Sequence, residues 1–194
     1  MKGFALSKLD TATIEQIAAH YYNVASDAHL FSESVRGPIR RRGYLEMDEL
    51  VEIVRWKAER MKTVVQRNTP EQIQMVTRHA FATTEPRLAA WVLRYLTGVH
   101  VRMASAILTV FDPETYTVLD VRAWSTLRKL DLRSLGVSVP DDFQHQSLNS
   151  CETYGLYLRV CQQLAQQFHV SLRTLDRCLF ALRGRDWLEV TGSG

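Results

Sequence analysis

Residues 96–108, LTGVHVRMASAIL, set Gly98 between one apolar helical stretch and a second run of small and apolar residues that begins at Val101. A glycine turn joining two close antiparallel helices exposes the unpaired N–H groups that open the second helix, and the missing Cβ lets an anion approach them. A nucleic-acid phosphate held this way is gripped by backbone atoms, without its bases being read. Arg94, Arg102, Arg122, Arg128 and Arg133 lie in the flanking segments and add positive charge. Asp120 follows Arg102 by eighteen positions, in YTVLDVRAW. On the turn alone the plain reading is an ordinary helical hairpin, and N-capping of the segment that follows accounts for Asp120.

The elements that must position these residues read as helices. Apolar residues recur at spacings of three and four, and almost no segment alternates with period two, so the fold class expected is all-α. Residues 11–25 form one amphipathic helix with Ile14, Ile17, Ala18 and Tyr21 on one side. A basic loop, SVRGPIRRRGYLE, follows, and Asp48 is placed to cap ELVEIVRWKAERM, whose inner stripe is Leu50, Ile53, Val54, Lys57 and Met61. Thr69, Pro70 and Gln72 spell an N-cap, a first helical position and a capping box. Pro86 opens the helix that runs into Gly98, and Asp112-Pro113 marks a turn. Helices are expected in VRAWSTLRKL and over 151–168 and 171–183, with 136–150 as the long loop.

A chain of 194 residues with 46% hydrophobic content can build a real core, as one domain or two small packed lobes. A formal charge of +3 allows a nucleic-acid partner without requiring one. Three scattered cysteines, Cys151, Cys161 and Cys178, indicate neither a disulfide framework nor a zinc knuckle and fit a reducing cytoplasm. The six histidines include no HExxH spacing, so no metal and no cofactor are implied. No apolar run is long enough for a membrane span, the N-terminus lacks a secretory pattern, and no obligatory protein partner is implied.

The stretch LTGVHVRMASAILTVFDPETYTVLDVRAW resembles the helix-hairpin-helix DNA glycosylase superfamily, the group of endonuclease III and 8-oxoguanine glycosylase. There, a hairpin of the pattern Leu-Pro-Gly-Val/Ile-Gly precedes an aspartate by about one helix and a loop. The corresponding residues are Leu96, Thr97, Gly98, Val99, His100, Arg102, Ala104 and Asp120. The resemblance covers residues 86–130, extends to the helices before them, and fades over the last 60. It implies a single two-lobed helical domain, with 86–130 as the hairpin and catalytic-aspartate region and 1–85 and 136–190 supplying the remaining helices that build the second lobe.

It also implies an N-glycosylase that flips a damaged or modified base of DNA into a cleft between the lobes, with Asp120 pointing in as the catalytic carboxylate. Glycosidic cleavage passes through an oxocarbenium-like state, whose positive charge a carboxylate stabilises while orienting or deprotonating a water. Gly98, His100, Arg102 and Arg122 match phosphate-binding positions. Arg102 stands where strand-cleaving members carry a nucleophilic lysine, and a guanidinium stays protonated, so a monofunctional hydrolase is expected. Thr97 replaces the usual proline, and His100 replaces the second hairpin glycine. The chain lacks the four closely spaced cysteines of the iron–sulfur branches.

Other residues bear on the same reading. Lys57 is a weaker source of an amine or a phosphate contact, and Arg40, Arg41 and Arg42 are weaker DNA contacts. Trp56, Trp91, Trp124 and Tyr95, at helical spacing, are expected in the core, with the alternative that one aromatic near the cleft stacks against an extruded base. Two alternatives stand beside the glycosylase: a catalytically silent helix-hairpin-helix DNA-binding protein, and a regulator using 164–184 as a helix-turn-helix with Arg173, Thr174 and Arg177 facing out. In either case Leu172, Leu175, Leu179 and Leu182 form a core stripe.

Overall fold

The computed structural model describes residues 10–23 and 27–183, and among them every regular element is a helix, as the periodicity predicts. No helix among the described residues is long and apolar enough to cross a membrane. The described residues divide into two compact units, 27–118 with 148–155, and 10–23 with 119–147 and 156–183.

The first unit is built around the helix that follows Gly98. It holds α2 (Glu33–Arg42), α3 (Met47–Ala58), the short α4 (Lys62–Val65), α5 (Pro70–Ala82), α6 (Pro86–Leu93) and α7 (Val101–Phe111). Every residue of α7 from Met103 to Val110 is buried, and α2, α3 and α6 pack against it. Ala104, Ser105 and Ala106 let neighbours approach closely. The Ser105 hydroxyl donates to the Arg102 carbonyl (2.8 Å) and that of Thr109 to the Ser105 carbonyl (2.7 Å), so neither is left unpaired in an apolar setting. The start of α5 has the expected chemistry: the Thr69 side chain accepts from the Gln72 N–H and the Gln72 side chain accepts from the Thr69 N–H. Pro86 stands at the first turn of α6, capped by Glu85.

Two expectations for this unit are corrected. The basic segment at 33–42 is helix α2, not loop, although it contains Pro38. Ser32 stands at its N-cap, Gly43 ends it at φ +75° with its N–H on the Ile39 carbonyl (2.8 Å), and three arginines occupy the last turn, where the helix dipole favours cations. Burial of Ile39 and the bond from Arg36 Nε to the Val110 carbonyl (3.2 Å) dock it on α7 and offset the proline. Helix α3 is capped by Glu46 in a reciprocal box with Glu49, and Asp48 lies inside its first turn.

The second unit contains α1 (Thr11–Ala19), α8 (Val121–Leu127), α10 (Leu172–Leu182) and most of α9 (Cys151–Gln167), with α10 packed on α1 and α8. Ile14, Ile17, Ala18, Cys178 and Leu182 form a core, and Leu172, Leu175 and Leu179 are buried with them as the leucine spacing predicts. The α-helix expected over 11–25 ends at Ala19 and continues as a single 3₁₀ turn, His20–Asn23. The stretch 136–150 is loop apart from a 3₁₀ turn at Phe143–His145.

Candidate functional site

The hairpin is a defined turn. The Val99 N–H donates to the Leu96 carbonyl (3.0 Å) and Gly98 has φ +85°, the arrangement of a type II turn, which requires a positive φ at its third residue. A Cβ on Gly98 would also lie 3.0 Å from Cγ1 of both Val64 and Val65, so the glycine serves backbone conformation and close packing on α4 together. Thr97 is explained by a residue that the sequence reading passed over. Buried Asn68 accepts from the Thr97 N–H (2.8 Å) and donates to the Thr97 carbonyl (3.0 Å) and the Val65 carbonyl (2.7 Å). A proline at 97 has no N–H for that clamp. An asparagine just before a capping threonine reads as loop polarity, so its pairing 29 residues away carries no local signal.

His100 is the N-cap of α7, and its Nδ1 accepts from the Met103 N–H (3.4 Å). The N–H groups of His100, Val101 and Arg102 donate to no acceptor among the described residues. Burial lowers the His100 pKa below its ordinary value, and the positive charges of Arg102, Lys57 and Arg60 lower it further. The ring is therefore neutral at pH 7, and with Nδ1 accepting, its proton sits on Nε2, where it can serve as a donor. Nε of Arg102 is buried with no hydrogen-bond partner among the described residues. An open depression of about 400 Å³ lies over the turn, lined by Met61, Arg94, Tyr95, Thr97, Gly98 and His100 among others. Gly98, His100, Arg102 and Lys57 thus come together within one unit.

Two aromatic residues expected in the core are not there. Trp91 is 47% and Tyr95 68% exposed, their rings edge-to-face at 5.1 Å beside the turn. Trp124 is buried against Phe143 and Tyr157, and Trp56 is half-buried against Phe31.

Asp120 is half-buried and is the N-cap of α8, its Oδ1 accepting from the Arg122 N–H (2.8 Å). Its charge, with those of Cys161 and Asp176, adds to the burial that raises the Tyr157 pKa well above the usual phenol value. Burial pushes the Cys178 thiol up to about 12 and raises that of Cys161 as well. The Arg122 guanidinium lies 4.8 Å from the centre of the Phe180 ring.

Arg40 and Arg41 are exposed on the last turn of α2, whereas Arg42 is bound to Glu49 and the Tyr44 carbonyl. Arg133 pairs with Asp141. Arg173, expected to face out from a recognition helix, is buried in an ion pair with Asp176 beside Tyr21, because the leucine stripe of α10 turns that face inward as well. No group of three or more potential metal ligands occurs among the described residues. Comparison of the chain with protein-family models, curated proteins and solved structures yields no match.

Proposed function

We propose that this protein is a DNA base-excision N-glycosylase of the two-lobed helix-hairpin-helix type, acting as a monofunctional hydrolase on a flipped, damaged or modified base. The observation that carries the reading is the hairpin: a type II glycine turn, three N–H groups at the start of α7 with no acceptor among the described residues, and Lys57, Arg60 and Arg102 grouped around His100. These are the components of a phosphate site that does not depend on base identity. In this reading Arg102 and Lys57 neutralise phosphate charge, His100 donates from Nε2, and Arg122 makes a further backbone contact.

Asp120 acts at the sugar. As the glycosidic bond lengthens, its carboxylate stabilises the positive charge on the sugar and takes a proton from the attacking water, whose oxygen bonds to the sugar carbon while the base leaves with the bonding electrons. A specific observation favours the silent DNA-binding module as the second reading: Asp120 already has a structural task as the cap of α8.

One substitution separates these roles. Asparagine caps a helix as well as aspartate does but carries no charge, so Asp120→Asn retains the fold, whereas Asp120→Ala costs about 1 kcal/mol of stability. The test scores base release from single-stranded and duplex oligonucleotides bearing a panel of damaged and modified bases, before and after hot alkali. The glycosylase reading predicts strand breaks only after alkali and at least about a hundredfold slower release by Asp120→Asn. Binding by both forms with no release across the panel identifies the silent module.

A further inference from the structure

We propose that the exposed Trp91–Tyr95 pair and the depression over the hairpin turn form one binding surface for single-stranded DNA, with an unpaired base stacked on Tyr95. The proposal rests on the DNA-binding reading above and narrows its substrate. Leu88, Trp91 and Tyr95 follow one another at three and four positions along and just beyond α6, and all three are exposed. Leaving two aromatic rings in water forgoes the burial that places Trp124 in the core, and such an exposed apolar patch marks a contact surface. The edge-to-face contact with Trp91, at an interplanar angle of 83°, supports the Tyr95 ring.

The occupant follows from what surrounds the rings. Tyr95 lines the same depression as Arg94, Thr97, Gly98 and His100, and the charges of Lys57, Arg60 and Arg102 reach His100. An apolar protein segment laid here would strip water from Arg60 and Arg102 without offering them a counter-charge. A nucleic-acid strand meets both demands, since its phosphates pair with the cations and its bases have flat faces that stack on aromatic side chains. Within a duplex those faces are covered by neighbouring base pairs. A ring standing next to the phosphate site therefore gains a partner only where a base is unpaired, as in single-stranded or locally opened DNA.

The test is a fluorescence-anisotropy titration of three oligonucleotides of one length: a single strand, the same strand without bases, and the duplex. Wild type is compared with Tyr95→Ala, Tyr95→Phe, Trp91→Ala and Arg102→Glu, all altered at side chains that are not fully buried. The proposal predicts that the base-bearing strand binds roughly tenfold more tightly than the abasic strand. Tyr95→Ala abolishes that difference, Tyr95→Phe keeps it, Trp91→Ala reduces it, and Arg102→Glu weakens binding of all three. Equal affinity for base-bearing and abasic strands, or a difference that Tyr95→Ala leaves intact, overturns the stacking surface. The DNA-binding reading survives that result if Arg102→Glu still weakens duplex binding, and absence of binding to all three oligonucleotides overturns both.

Discussion

The hairpin turn and the helix pair α8 and α10 differ in where their polar and aromatic side chains lie. Beside the hairpin, Arg94 and Tyr95 are exposed, and the N–H groups of His100, Val101 and Arg102 have no acceptor among the described residues. Around α8 and α10 several polar side chains are paired internally, Arg173 with Asp176, Asp120 with the Arg122 N–H, and the Thr126 hydroxyl with the Leu179 carbonyl (2.8 Å), while the Trp124 indole N–H is buried with no hydrogen-bond partner among the described residues. A polar group satisfied inside the fold mainly determines stability. A donor left without an acceptor at a surface is available to a ligand. In the proposed function binding falls to the hairpin, and Asp120 is the residue at which structure and chemistry must be separated by experiment.

The contrast breaks most visibly at the buried ion pair. Asp176→Ala removes the carboxylate that faces the Arg173 guanidinium, itself 9% exposed, and is expected to lower the unfolding free energy by about 3–5 kcal/mol in urea denaturation. A loss below 1 kcal/mol would mean that water reaches the pair and that this unit is less closed than described.

Asn68 sharpens the contrast, because it is a buried residue whose task is to shape a surface. Asn68→Ala removes three hydrogen bonds, two of them to Thr97, and is expected to cost about 2 kcal/mol while also weakening DNA binding. Stability loss with unchanged affinity would show that the turn holds its shape without the clamp.

The smallest effect is at His100. Its folded-state pKa lies below the ordinary value of 6.5, so the unfolded chain binds the proton more readily. Stability is fully present above pH 6.5 and falls as the pH drops from there toward the folded-state value. His100→Asn keeps a cap of similar quality and removes that acid dependence. A pH–stability curve unchanged by the substitution would contradict the depressed pKa.

How much of this was legible in the sequence follows from the range of each signal. Thr69, Pro70 and Gln72, Pro86, Gly98 and Asp120 act within three or four residues of themselves, and each marks the boundary its chemistry predicts. Helix α2 was not legible, because Pro38 is a strong local signal that docking of Ile39 and Arg36 on α7 overrides. Asn68, Arg173, Trp91 and Tyr95 share the same difficulty, since their burial and partners are set by distant elements. Helical spacing places Trp91 on a face without saying whether anything covers it. The hairpin backbone of the candidate site was therefore readable from residues 96–102, while its clamp and its aromatic border required the fold.

The central claim is that the hairpin backbone holds a DNA phosphate, and amide chemical shifts test it most directly. Titrating ¹⁵N-labelled protein with an oligonucleotide is expected to move the amide signals of Gly98, His100, Val101 and Arg102 first and furthest, with the Tyr95 backbone amide and the Trp91 indole N–H following when the strand is single. Shifts confined to other elements, such as the surface of α10, with the four hairpin amides unmoved at saturation, would contradict it.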